Sequence, residues 1–194
     1  FVLKRNDNVA KHIHLPAQSG NSRILKKMNR TYTREWYEMK YNRIKEILPN
    51  CSVSCDIITG FCSETEDDHK DTLELLVNCP FEFSYMYYYS ERPGTLAARK
   101  YEDDIDEDIK KRRLSEVINV QHDIAKKLNR AQEGKVHRVL IEMQSKKNEN
   151  EWMGRNEQNI KVIFPKDHYN LGDFVDVIIE RSTTTSLIGK GITK

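Results

Sequence analysis

No run of eighteen apolar residues occurs in the 194-residue chain, so no segment is long and apolar enough to cross a bilayer as a helix. The opening residues, FVLKRNDNVAKHIHLP, lack the apolar core of a secretory signal and an initiating methionine. They read as the approach to a strand within a longer polypeptide. Cysteine is scarce: Cys51, Cys55, Cys62 and Cys79, unevenly spaced. Without a secretion signal that count argues against a disulfide framework and for a reducing compartment, expected to be the cytoplasm. An excess of one charge is also missing, with 32 basic against 30 acidic residues, so the total carries no nucleic-acid signature, although a local basic face stays open. Neither G-x-G-x-x-G nor a Walker-type loop is present, and no G-x-S-x-G elbow supports a triad of Ser19, Asp56 and His14.

What is present alternates. KHIHL, ending at Pro16, reads as a short strand. The loop PAQSGNS then leads to a short helix, RILKKMNR, that Ser22 can cap. Thr33 is the expected N-cap of a second helix, which carries Trp36, Met39, Ile44 and Ile47 at roughly helical spacing and stops at Pro49. SVSCDIITGF follows as a strand buried on both faces. Ser63 and Glu66 have the spacing of a capping box for the next helix, whose expected stripe is Leu73, Leu76 and Val77. FEFSYMYYYS reads as a third strand.

Strand–helix–strand–helix–strand with connections this long implies parallel crossovers, an α/β sheet or part of a barrel with its chemistry at the carboxyl ends of the strands. A long helix comes next, acids leading and bases following, with one stripe through Leu114, Val117, Ile118, Gln121, Ile124, Ala125 and Leu128, and Gly134 available to end it. Five short β-like segments after Gly134 suggest a small closed barrel. The expected division is 1–131 for the α/β part with its connecting helix, and 132–194 for the all-β part.

Cys51, Cys55 and Cys62 lie in the spacing C-x3-C-x6-C. On an ideal strand the first two share a face but stand about 13 Å apart, too far for one metal cluster unless the backbone bends. The alternative is small buried thiols. His12 and His14 share one strand face, either as metal ligands or as hydrogen-bonded imidazoles. The run Tyr85, Tyr87, Tyr88, Tyr89 is either strand packing or a base-stacking surface, and Lys110 to Arg113 is either a solvated helix face or an RNA contact.

Three segments in order, HIHLPAQSGNSRILKKMNRTYTREWY, DIITGFCSETEDDH and YSERPGTLAARK, resemble the radical-SAM methylthiotransferases, and within them the tRNA-2-methylthio-N6-dimethylallyladenosine synthase (MiaB) branch. YSERPGTLAA is the most discriminating stretch. The tail, with GKVHRVLIE, GRNEQNIKVIFP and GDFVDVIIERSTTTSLIGK, resembles the TRAM module that ends those enzymes, so the likeness covers essentially the whole chain. The family loop usually runs G-F-P-G-E-T, whereas here it is Gly60-Phe61-Cys62-Ser63-Glu64-Thr65, and Ala10 stands where relatives often have Cys.

The resemblance implies the carboxyl-terminal half of a radical-SAM (β/α) partial barrel followed by an OB-like TRAM barrel. It implies a tRNA methylthiotransferase that adds a methylthio group to carbon 2 of N6-isopentenyladenosine next to the anticodon. The cofactors implied are S-adenosylmethionine and two 4Fe–4S clusters whose ligands lie upstream of Phe1, which would leave this piece inactive alone. The partner implied is the anticodon arm of tRNA, for a monomeric full-length enzyme. Gln18, Ser19, Asp56, Gly60, Glu64 and Arg92 are the expected cofactor- and substrate-binding residues, with no metal ligand among them. Arg138, Lys146, Lys147 and Arg155 are the expected RNA contacts, chiefly to phosphate. Relatives acting on threonylcarbamoyladenosine or on a ribosomal protein are the alternative within the class, and a noncatalytic RNA-binding module is the alternative outside it.

Overall fold

The structure is a computed structural model that describes residues 2–6 and 8–192. Its elements run α1 (Val2–Arg5), β1 (His12–His14), α2 (Ser22–Lys27), α3 (Arg34–Ile47), β2 (Ser52–Thr59), α4 (Glu66–Asn78), β3 (Phe83–Tyr88), α5 (Leu96–Lys100), α6 (Glu107–Arg130), then β4 (Val136–Gln144), β5 (Glu151–Asn156), β6 (Lys161–Pro165), β7 (Phe174–Ser182) and β8 (Leu187–Gly191). The chain divides into two compact units. One comprises His14–Glu46 and Val53–His122. The other comprises the amino-terminal residues up to Ile13, Ile47–Ser52 and the chain from Asp123 onward.

The first three strands form a sheet in the order β1-β2-β3. β2 and β3 are parallel, with Ser54 opposite Phe83 and Thr59 opposite Tyr88, as the crossover lengths require. β2 is buried along nearly its whole length, which explains its lack of alternation. The helix starts differ from expectation. Asn21, not Ser22, caps α2, its side chain accepting from the amides of Arg23 and Ile24. The capping box of α4 is Thr65 with Asp68, not Ser63 with Glu66, because Ser63 has φ 63° and belongs to the preceding turn.

The buried faces also shift. α3 buries Tyr37 and Tyr41 and leaves Trp36 and Met39 exposed, since the two tyrosines reach backbone carbonyls of Leu15 and Pro80. α4 buries Leu75 and Leu76 and exposes Val77. On α6, Val117, Gln121 and Ala125 are the buried members of the stripe. Gln121 is polar there because it accepts from Ser84 Oγ at 3.1 Å and donates to Phe81 O at 2.9 Å, satisfying groups at the entrance to β3.

The second unit contains a closed five-stranded barrel in the order β4-β5-β6-β8-β7. Its core is Val139, Ile141, Val162, Phe164, Val175, Val177, Ile179 and Leu187. These fall at every second position along β4 and β7, the period of a strand with one face inward. Fully burying such side chains is worth about 1.5–3 kcal/mol each. In the same unit, Asn129 near the end of α6 donates to the carbonyls of Thr183 and Thr184.

Candidate active site

In the first unit a cavity of about 770 Å³ opens at the carboxyl ends of β1, β2 and β3. Its wall includes Ile58, Phe61, Met86, Leu96, Ala97 and Leu114, with Tyr87 and Tyr89 from β3 and its following loop. Four charged side chains line it, Asp56 and the cations Lys27, Arg30 and Arg92. A mostly apolar recess of this size with a few convergent polar groups is the usual form of a small-molecule site.

Local chemistry builds each wall. α2 ends in a reversal: Asn29 takes φ 59° and the Arg30 amide bonds back to Leu25 O at 2.9 Å. That Schellman-type closure turns the chain so that Lys27 through Arg30 face the cavity. Gln18 has φ 69° and sits beside Ile57 as a single bridge, its amide donating to Asp56 O and its carbonyl accepting from Ile58 N, both at 2.8 Å. Phe61 packs edge-on to Tyr89 with ring centroids 4.9 Å apart, and Met28, Ala97 and Tyr101 complete that wall. Thr95 caps α5 and its hydroxyl donates to Arg92 O at 2.9 Å, which tethers the backbone at Arg92.

Of the six expected pocket residues, the structure brings Gln18, Asp56 and Arg92 together on this cavity. Ser19 is placed elsewhere: it is buried, accepts from the Asn21 amide and faces the Thr72 hydroxyl. Beside it Gly20 packs so tightly on α4 that a Cβ would collide with backbone atoms of Asp71 and Thr72. Gly60 has φ 67°, and a Cβ there would collide with Lys110 Cγ. Glu64 is not exposed to the cavity. Its carboxylate accepts from the Gly60 amide at 2.6 Å and from Arg113 Nη1 at 2.9 Å, with the side chain completely buried. Burial pushes the Glu64 carboxyl up, against the pull of the Gly60 amide and Arg113. These three residues shape the loops that carry the site.

Sequence reasoning missed Lys27, Arg30 and the apolar wall. It also missed the basic residues of α6 in their actual role. Lys110 and Arg113 are both buried, Lys110 paired with Asp103 and lying over the Tyr89 ring, Arg113 paired with Glu64 and Glu66. Their spacing on one helix was the only available signal; the partners lie 7 to 49 residues away.

Cys51, Cys55, Cys62 and Cys79 are all buried, and none of them is in a disulfide. Cys55 contacts the Ala17 amide and the Tyr37 hydroxyl, and burial pushes its thiol up to about 12. Burial likewise pushes Cys79 up to about 12. Metal binding needs thiolates. Among the described residues no group of three or more His, Cys, Asp or Glu side chains could hold a metal ion. The strand histidines are hydrogen-bonded, His12 to Ser52 Oγ at 2.7 Å and His14 to Ser54 Oγ at 2.8 Å, with His14 Nε2 3.4 Å from Asp56.

Of the four expected RNA contacts, Arg138 and Arg155 line one recess on the barrel wall of the second unit. Lys146 and Lys147 lie apart from it, in the turn between β4 and β5.

A radical SAM superfamily model matches residues 2–76, and a TRAM domain model matches residues 130–192. The chain is 51% identical over its full length to the tRNA-2-methylthio-N(6)-dimethylallyladenosine synthase of Amoebophilus asiaticus, and 49% identical over 98% of its length to the enzyme so named in Flavobacterium psychrophilum. It spans about 40% of the length of these curated relatives. Among solved structures, coproporphyrinogen III oxidase from Escherichia coli, a radical SAM enzyme, matches 95% of the chain and 46% of its own with a TM-score of 0.53 and 16% identity, a likeness of fold.

Radical SAM proteins as a family imply S-adenosylmethionine and a 4Fe–4S cluster. The cavity, with Gln18 and Asp56 in an apolar wall, fits the first. The buried cysteines, no three of which come together with other possible ligands among the described residues, do not fit the second. By its two domain matches and an alignment at about half identity along nearly all of its length, the chain is similar to a radical SAM and TRAM-bearing part of the relatives named tRNA-2-methylthio-N(6)-dimethylallyladenosine synthase.

Proposed function

We propose that this chain is the substrate-side part of a tRNA methylthiotransferase that modifies carbon 2 of N6-isopentenyladenosine next to the anticodon. The observation that carries this reading is the composition of the cavity: an apolar wall beside three cations. A prenylated nucleotide has the matching halves, an apolar five-carbon group and phosphates. Threonylcarbamoyladenosine, the substrate in the alternative reading, would place a polar, carboxylate-bearing group against Ile58, Met86 and Leu114, where desolvation disfavours it.

In this reading Arg92, Lys27 and Arg30 take the phosphates flanking the target nucleotide. Gln18 and Asp56 orient S-adenosylmethionine or the adenine edge. Glu64, Gly60 and Ser19 hold the loops at the strand ends. When bound, the cofactor supplies the radical chemistry; this chain supplies a dry, oriented recess for the base. Two 4Fe–4S clusters, held by residues outside this chain, belong to the same reading, as do a monomeric state, a cytoplasmic location and a functional boundary near residues 131 and 132. Binding of the anticodon arm is assigned to the TRAM part, with Arg138, Arg155, Lys146 and Lys147 as its basic contacts. That the domain matches end in a TRAM module supports RNA binding.

The test uses the complete polypeptide that contains this chain, reconstituted anaerobically with iron and sulfide and given S-adenosylmethionine and a reductant. Three forms of one tRNA serve as substrates, carrying isopentenyladenosine, threonylcarbamoyladenosine or plain adenosine. Mass spectrometry of the digested nucleosides should detect the methylthio product from the first form alone. Product from the second form would replace this reading with the alternative, and none from any form would refute both.

A further inference from the structure

The barrel wall holds an unexplained feature. Phe174, at the start of β7, is 61% exposed although it is a large apolar side chain on a regular strand. The guanidinium of Arg138 on the neighbouring β4 lies over its ring, 4.7 Å from the centroid. β4 and β7 pair with Leu140 opposite Phe174 and Arg138 opposite Asp176, so the cation reaches the ring diagonally across the ladder. Recesses open on both sides of this pair. One, of about 610 Å³, is lined by Leu140, Glu142, Arg155 and Asn159 as well as Phe174 and Arg138. The other, of about 430 Å³, adds His168, Tyr169 and Asp176.

We infer that Phe174 and Arg138 form a stacking platform for an unpaired RNA base. The inference rests on the RNA-binding reading of the TRAM part and changes its character from phosphate contact to base contact. Three observations favour a base. An exposed aromatic ring with a guanidinium stacked on it is the arrangement that receives single-stranded bases, whose π-faces stack without regard to sequence. The recesses also carry carboxylates, Glu142 and Asp176. These repel a phosphate but accept hydrogen bonds from the amino and N–H edges of a base. Finally, Arg155 is already engaged, 3.4 Å from Glu142 and donating to Asn159 O at 2.9 Å, so it leaves the phosphate role to cations outside the recess. Lys146 and Lys147 in the β4–β5 turn are such cations.

The test compares two probes of equal charge on the 194-residue chain, hexa-adenylate and an abasic ribose–phosphate hexamer. The platform predicts that the chain binds hexa-adenylate about 5- to 100-fold tighter than the abasic probe. Phe174→Ala should remove that preference while leaving affinity for the abasic probe and the thermal midpoint unchanged, because the ring is exposed. Phe174→Trp should retain it. Tight, salt-dependent binding of both probes, equal between wild type and Phe174→Ala, would overturn the platform and keep the RNA-binding reading. Failure of wild type to bind either probe would overturn both.

Discussion

Replacing Arg113 by methionine is expected to destabilise the first unit severely, and in a pH-dependent way. Arg113 is 4% exposed in its side chain and Glu64 is 0% exposed, with Nη1 2.9 Å from the carboxylate and 3.0 Å from the Glu64 carbonyl. Methionine keeps the length and removes the cation. The carboxylate then remains buried with only the Gly60 amide to balance it. Breaking a buried pair by removing one partner costs about 3–5 kcal/mol. The half-exposed contacts of Arg113 with Glu66 add little, at most about 1 kcal/mol.

Burial already pushes Glu64 upward, and losing the guanidinium removes one of the influences opposing that. A carboxyl raised in the folded state contributes stability below its unfolded value and loses it as pH rises through the folded one. The deficit of Arg113→Met should therefore be larger near pH 8 than at pH 5.5, which lies closer to the raised value at which the buried Glu64 takes up a proton. Urea unfolding followed by circular dichroism at the two pH values measures this. A loss below about 1 kcal/mol at pH 8, or one that does not shrink at pH 5.5, would refute the assignment of a buried, compensated carboxylate.

Three further outcomes are expected. Ser63 stands in the left-handed region where the family loop has glycine, and its hydroxyl accepts from Arg23 Nη1 at 3.2 Å and contacts Lys27. Ser63→Ala loses those bonds and keeps the backbone cost, so Ser63→Gly should be the more stable of the two variants by about 1–2 kcal/mol in thermal melts. Gly60→Ala adds a Cβ at positive φ against the buried Lys110 side chain, and should lower stability by at least about 1–2 kcal/mol. His69 is 1% exposed in its side chain, and burial holds its imidazole below the usual value despite Glu116 Oε2 at 2.8 Å. The unfolded chain then binds more protons, so stability should fall as pH drops below about 6.5, by up to about 1.4 kcal/mol per pH unit per histidine. His137, lowered by burial and by Lys135, acts in the same direction; His69→Gln should reduce the slope without abolishing it.

The strands were legible because each carries a local signal. The five β segments after Gly134 become the five strands of the barrel, since alternation and turn residues are read within a few positions. Helix faces were less legible. Trp36 and Met39 fit helical spacing as well as Tyr37 and Tyr41 do, and only the carbonyls of Leu15 and Pro80, supplied by distant segments, decide which pair is buried. Capping of α4 was misplaced by two residues because Ser63 and Thr65 carry the same chemistry, and the φ that separates them is set by the turn.

The site was half legible. Gln18 and Arg92 follow the carboxyl ends of β1 and β3, and Asp56 lies in the second half of β2, on the side where the parallel topology places chemistry. Glu64 and Gly60 were read as ligand contacts because they flank the strand end, but their partners come from α6, more than forty residues on. Lys110 and Arg113 looked like a solvated run for the same reason: a sequence shows the charges and not the carboxylates they will meet.

The cavity's preference for a prenylated nucleotide is the claim on which the functional reading depends. Isothermal titration of the 194-residue chain with N6-isopentenyladenosine 5′-monophosphate and with adenosine 5′-monophosphate compares the two directly. With an apolar wall at Ile58, Met86 and Leu114, burying even two methylene equivalents of the prenyl group is worth about 1.6 kcal/mol, so the prenylated nucleotide should bind at least about tenfold tighter. Equal affinities, or tighter binding of the unmodified nucleotide, would contradict the account.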